Sequence, residues 1–201
     1  MNARQSSMSR FPLITLNTSR LILRPLREDD ACSLFTGWSD PAVTRYLPFS
    51  AIGSVEEARD RVARRMKGSM DGESIVLVLE TRTTGEVIGD CALFNFNDQC
   101  QRAEIGFCLQ RQHWGGGYMF EAARGLIDCA FATLGFRRIE ADIDPRNHSS
   151  AKLLERLGFV REGILRERWL VADEVSDSAI YGLLRSDPQP TVFRTPTAVL
   201  A

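Results

Sequence analysis

Gln112-His113-Trp114-Gly115-Gly116-Gly117-Tyr118 is the stretch on which the fold turns. A strand-like apolar run, Ile105-Gly106-Phe107-Cys108-Leu109, leads into it, and a helical run, Met119 to Leu134, leads out. In that second run Met119, Ala122, Ala123, Leu126, Ile127, Ala130, Phe131 and Leu134 recur at three- and four-residue steps, so one helix face is buried. A glycine-rich turn between strand and helix lets several backbone N–H groups point one way, with the positive end of the helix dipole behind them. Such a turn seats phosphate oxygens, and a pyrophosphate is the expected guest. The alternative is a purely structural turn.

The residues separate three kinds of phosphate loop. A kinase or ATPase loop needs Gly-Lys-Ser/Thr at its end, and Gly117 is followed by Tyr118 and Met119. A dinucleotide loop needs a third glycine three residues past the second and an early place in the chain. Met119 and Phe120 stand there, past mid-chain. What remains is Gln-x-x-Gly-x-Gly, met by Gln112, Gly115 and Gly117. This resembles the coenzyme A loop of the GNAT N-acetyltransferase superfamily.

A second motif agrees. Asp144-Pro145-Arg146-Asn147-His148-Ser149-Ser150 opens a short helix that runs to Leu157 and stops at Gly158-Phe159. Asn-x-x-Ser followed by Glu-x-x-Gly-Phe resembles the second block of the same superfamily, most of all the branch containing the ribosomal-protein N-acetyltransferases. Ser19 to Leu26 is similar to that branch's first strand, Arg45-Tyr46-Leu47-Pro48-Phe49 to its substrate-side loop, and Asp177 to Leu184 to its last strand. The resemblance spans about Asn17 to Asp187.

Composition sets the outer bounds. A chain of 201 residues with 44% hydrophobic and 25% charged content suits one soluble domain. A net charge of −1 points to no general nucleic-acid or membrane-surface binding. Cys32, Cys91, Cys100, Cys108 and Cys129 form no C-x-x-C pair and read as reduced, packed thiols of a cytoplasmic protein. Two histidines and no Cys/His cluster predict no metal site. No apolar run is long enough to span a membrane, and Met1 to Ser9 lacks the apolar core of a signal peptide.

Residues 1–12 and 188–201 read as flexible tails around one domain, 13–187. Within it the expected order is a strand at Leu21 to Leu26, helices at Glu28 to Phe35 and Ser54 to Lys67, and strands at Ser74 to Glu80, Glu86 to Phe96 and Arg102 to Gln110. The glycine-loop helix, a strand at Arg138 to Ile143, the short second helix and a hairpin of Phe159 to Leu170 and Ser176 to Leu184 follow. That predicts an α/β (α+β) fold: a mixed, mostly antiparallel, seven-stranded sheet with helices on both faces. The resemblance implies that the strands before the glycine loop and after its helix splay apart, with the pantetheine arm in the gap.

Acetyl transfer to an amine needs a thioester held near the amine, a neutral amine, donors for the oxyanion and a route for the departing thiolate. Glu104 is the candidate for the amine's proton. Strand alternation places it on one face with Gly106, which leaves room for a ligand. The other reading is a solvated strand carboxylate. Ser150 is the candidate beside the sulfur. Many superfamily members carry a tyrosine four residues before Gly-Phe, and Leu154 stands there instead. Ser150 also reads as a helix cap, and Asn147 as a cap or as a partner of the pantetheine amides.

Backbone groups of Phe107, Cys108 and Leu109 are expected at the thioester, and Gln112, His113, Trp114, Gly115, Gly116, Gly117 and Tyr118 around the pyrophosphate. Cys108 has no histidine partner and reads as packing; His113 and His148 read as loop residues. Trp38, Tyr46 and Phe49 are expected to wall the acceptor pocket or to be core. Arg20 and Arg24 read as contacts to acidic substrate groups or as solvated strand residues.

The resemblance thus implies an acetyl-CoA-dependent N-acetyltransferase without a metal, acting as a monomer or homodimer. Its expected acceptor is a protein or peptide N-terminal α-amine, including that of a ribosomal protein. The alternatives are transfer to a small amine, such as a polyamine, antibiotic or amino-acid derivative, and a non-catalytic acyl-CoA-binding module. Glu104, Asn147 and Ser150 weigh against the last.

Overall fold

The computed structural model describes residues 11–188 and the backbone of residues 197–200. The strands are β1 (Ile14–Asn17), β2 (Leu21–Pro25), β3 (Ile75–Thr81), β4 (Val87–Asn97), β5 (Arg102–Leu109), β6 (Arg138–Ile143), β7 (Val160–Val171), β8 (Glu174–Leu184) and β9 (Thr197–Leu200). The helices are α1 (Ala31–Trp38), α2 (Pro41–Thr44), α3 (Val55–Met70), α4 (Tyr118–Ala132) and α5 (His148–Leu157), with single 3-10 turns at Glu28–Asp30 and Arg111–His113.

The strands form one sheet in the order β7-β8-β6-β5-β4-β3-β2-β1-β9. Every pairing is antiparallel except β5 with β6. The fold class is the expected one, but the sheet has nine strands, not seven. The two additions, β1 and β9, lie together at one edge, each too short to announce itself. β9 falls within the stretch read as a C-terminal tail; residues 1–10, 189–196 and 201 of the two expected tails lie outside the described residues.

β3 explains the two-layered helix packing. Its residues alternate between two cores: Ile75, Leu77 and Leu79 join one, Val76 and Val78 the other. The first core also holds Ala122, Leu126, Ala130, Leu154 and Leu157, so α4 and α5 cover that face. The second holds Leu34, Trp38, Ala58 and Val62, so α1 and α3 cover the opposite face. A strand buried on both faces is apolar at nearly every position, and β3 is. α3 starts where its cap predicts: Ser54 Oγ accepts from the Glu57 N–H at 3.2 Å, while the Glu57 carboxylate reaches back to the Gly53 N–H at 2.9 Å.

Arg24 is not a substrate contact. It is buried and donates to both carboxylate oxygens of Asp30, at 2.9 and 2.7 Å, and to Glu80 at 2.6 Å. This ties the turn after β2 to β3. Arg24→Met should cost about 3–5 kcal/mol in urea unfolding, because it strands the buried Asp30 charge. The double variant Arg24→Met/Asp30→Leu should recover most of that loss.

Candidate active site

β5 and β6 pair only over Arg102↔Arg138, Ala103↔Ile139 and Glu104↔Glu140. Beyond that point β5 stays with β4 as far as Leu109, and β6 stays with β8 as far as Ile143. The two parallel strands therefore diverge, and residues 105–109 present one backbone edge to a gap. Glu104 stands at the vertex.

The glycine loop closes the far end of β5. Gly115 and Gly117 adopt left-handed φ values of 74° and 75°, which disfavour L side chains. Gly117 is the N-cap of α4, and no side chain caps the first N–H groups of that helix. They remain donors for an anion. The turn between β1 and β2 holds this loop. Arg20 donates to the Gly116 carbonyl at 2.8 Å and to Glu121 at 2.7 Å, and its guanidinium lies 4.3 Å from the Tyr118 ring centroid. Ser19 Oγ also donates to Glu121 at 2.9 Å. Burial pushes the Glu121 carboxyl up, but hydrogen bonds from Thr18, Arg20 and Ser19 outweigh it and hold the pKa below the usual value. Arg20 is thus a brace of the glycine loop, a role that only the tertiary contact reveals.

Around the loop, Gln112 Nε2 faces Gln110 Oε1 at 3.3 Å and Glu86 at 3.4 Å, and His113 packs edge-on to Tyr118. Trp114 is half exposed and donates its indole N–H to the Leu109 carbonyl at 2.8 Å. Gln110 anchors the segment: it is buried, and its amide donates to the Ser33 and Val87 carbonyls at 2.8 and 3.0 Å.

A cavity of about 970 Å³ opens beside the β5–β6 gap. It gathers Glu104, Phe107, Cys108, Asn147, Ser150, Trp38, Tyr46 and Phe49 into one wall system. Leu109, Gln112, His113, Trp114, the three glycines and Tyr118 lie outside it, toward the head of α4. Trp38 is also a core residue, only 1% exposed.

Glu104 is only partly exposed and accepts a hydrogen bond from Asn95 Nδ2 at 2.9 Å. Burial raises its carboxyl pKa above the usual value; the Asn95 bond opposes this, and the charges of Asp142 and Glu140 add to it. Asn95 reaches Glu104 because β4 is irregular between Phe94 and Asn97 and Asn95 takes a left-handed φ of 52°. Nothing in the local sequence announces that irregularity. Gly106 does not leave open room on this face: a Cβ there would stand 2.9 Å from the Phe94 ring, which occupies the space.

On the other side of the gap, Asn147 caps α5, its side-chain oxygen accepting from the Ser150 N–H at 3.1 Å. Asn147 and Ser150 both line the cavity. Leu154 is fully buried in the core, so this position of α5 offers no polar group to the cavity. Burial pushes the Cys108 thiol far up, which keeps it protonated and a poor nucleophile. Among the described residues no group of His, Cys, Asp or Glu gathers to hold a metal, and no helix is long and apolar enough to cross a membrane.

Residues 20–160 match the family model described as acetyltransferase (GNAT) domain. The chain is 38% identical over 173 residues to "Uncharacterized N-acetyltransferase p20" of Bacillus licheniformis, covering 86% of this chain and 97% of that protein. It is 25% identical over 190 residues to the ribosomal protein uS5-alanine N-acetyltransferase of Escherichia coli (strain K12), covering 90% and 96% of the two chains. Among solved structures, Mycobacterium smegmatis RimJ in complex with CoA-disulfide superposes with a TM-score of 0.77 at 23% identity, covering 85% of this chain and 87% of that one. At that identity the likeness is one of fold.

Proposed function

The chain belongs to the GNAT acetyltransferases, and from that premise we propose that it moves an acetyl group from acetyl-CoA to the N-terminal α-amine of a protein or peptide. The observation that carries the reading is Glu104. It is a desolvated carboxylate at the vertex of the strand gap, in a cavity shared with Ser150 and Asn147.

Members of this family use acetyl-CoA, and the residues present fit it. Two left-handed glycines and an uncapped helix start offer a dense set of N–H donors where a diphosphate would lie. The diverging β5 edge offers strand-like donors and acceptors to the pantetheine amides. Acetyl-CoA supplies the activated acetyl group. The chain supplies position and proton management. Phe107 and Leu109, alternate residues on the free edge of β5, present backbone N–H groups toward the carbonyl oxygen, while that of Cys108 faces β4; Asn147 holds the pantetheine arm through its amide. Glu104 accepts a proton from the amine, directly or through one water. Its raised pKa brings it nearer to that of the amine, which eases the transfer. Ser150 hydrogen-bonds the departing sulfur; Leu154 carries no proton to give.

An α-amine titrates near about 8 and a lysine amine near about 10.4, so at neutral pH a carboxylate base suits the former better. A cavity of about 970 Å³ also exceeds what a single amine group fills and matches the first residues of an extended chain. Tyr46 and Phe49 would contact those residues, with the buried Trp38 packed behind Phe49. A panel of N-terminal peptides and small amines, followed by CoA release, tests the reading. Turnover of peptides with a free α-amine, abolished by blocking that amine, is expected. Turnover confined to polyamines or antibiotics would move the acceptor to small molecules. CoA binding without turnover of any amine would make the protein a binding module.

A further inference from the structure

Arg61 on α3 is a half-buried cation in the wall of the acceptor cavity. Its guanidinium carbon lies 3.6 Å from the Phe49 ring centroid and 5.1 Å from that of Trp38. Its Nε is buried and meets no hydrogen-bond partner among the described residues. No carboxylate among them forms an ion pair with it. The neighbouring arginines differ. Arg65 is paired with buried Asp90 at 2.6 Å, and Arg146 with Asp144 and Glu174, each at 2.6 Å. Arg64, exposed, lines the same wall. Asp90 lines the cavity beside α3, and Arg65 neutralises it. That wall therefore keeps a net positive charge, and the buried Arg61 Nε meets no acceptor among the described residues. An unpaired, partly desolvated guanidinium is costly. Stacking on Phe49 offsets only part of that cost. Desolvation, with Arg65 beside it, lowers the Arg61 pKa from its usual value, although a guanidinium remains charged.

Across the cavity stand Glu104, Asp142 and Asp144; Arg168 pairs with Asp142 at 3.0 Å and Arg146 with Asp144 at 2.6 Å, which leaves Glu104 as the carboxylate of the three without an ion pair among the described residues. The cavity therefore sets the Arg61 cation apart from the Glu104 carboxylate. Arg61 and Cys108 line the same cavity, and Cys108 lies four residues beyond Glu104 on β5, about 13 Å along an extended strand. We propose that the acceptor carries a carboxylate on the order of 10 Å from its reacting amine, and that Arg61 binds it. In an extended peptide, at about 3.3 Å per residue, that separation corresponds to an acidic side chain among the first few residues after the amine. Arg61 would then determine specificity. This rests on the reading of the cavity as an acceptor site.

The test uses peptides matched except for Glu or Gln at residue 2, 3 or 4, together with small amines in carboxylate and carboxamide pairs, on the full chain. Wild type should favour the carboxylate member of at least one pair by about tenfold to a hundredfold in kcat/KM, the range of a hydrogen bond to a charged group. Arg61→Met should bring that ratio to about one, and Arg61→Lys should restore part of it. Calorimetric CoA affinity equal to wild type would show that the variant is folded and that Arg61 does not serve the cofactor. A preference found only among the small amines would keep the Arg61 contact and reassign the carrier. Equal rates for every pair in wild type, or a preference that survives in Arg61→Met, would overturn the proposal while leaving the acetyltransferase reading intact. No turnover of any member would overturn both.

Discussion

Gly115→Asp should raise the dissociation constant for CoA about a hundredfold, or ~2.8 kcal/mol. Gly115 has a φ of 74°, and a Cβ there would meet nothing within 4 Å. Aspartate tolerates left-handed backbone better than most L-residues, so the variant should fold. The loss comes from charge. Two like charges 4 Å apart near a protein surface repel by about 4 kcal/mol, and the CoA diphosphate would sit against this loop. Gly115→Asn keeps the shape without the charge and should lose much less. Gly117→Asp should lie between them, because its Cβ would stand 3.6 Å from Arg20 Nη2, and that cation would partly neutralise it. Isothermal calorimetry with CoA reads all three. Wild-type affinity in Gly115→Asp would remove the diphosphate from this loop.

Glu104→Gln should lower turnover on the order of a hundredfold, the low end of general-base effects, and leave CoA affinity nearly unchanged. The loss should shrink as pH rises from about 6 to 9, since the α-amine, titrating near about 8, then arrives neutral. Ser150→Ala should lose less, with little dependence on pH, because its assigned partner is sulfur. Asn95→Ala should move the acidic limb of the kcat/KM profile upward. The Asn95 hydrogen bond favours the ionised carboxylate, so its removal raises the Glu104 pKa further.

The same residue makes a prediction about stability with the opposite sign. The folded-state pKa of Glu104 lies above its unfolded value. Its contribution to stability is therefore fully present below the unfolded pKa and is lost as pH rises through the folded pKa. At pH 8 the wild type carries a desolvated charge that Glu104→Gln lacks. The variant should then melt no lower than wild type, and the gap should close toward about pH 4.3, the ordinary glutamate value. A variant that is inactive yet at least as stable marks a functional carboxylate. Lower stability at pH 8 would assign Glu104 a structural role instead.

Local rules made much of this molecule readable. The three consecutive glycines before an amphipathic run located the loop and the start of α4, because positive φ and a free helix end are properties of a few adjacent residues. Ser54 and Asn147 could be read as caps from the residues just after them. The near-continuous apolar run of β3 announced a strand; its burial on both faces came from the helices packed there. Tertiary structure decided what depends on residues far apart in the chain. β1 and β9 are four residues each and exist as sheet edge only through each other and β2. Arg20 and Arg24 look alike in sequence, yet one braces the glycine loop and the other lies in a buried ion pair. The room at Gly106 went to Phe94, from the neighbouring strand. Asn95 and Glu104 meet because β4 breaks its register. Spacing along the chain carries backbone geometry over a few residues; which charges end up paired, buried or free is set by neighbours that only the fold brings together.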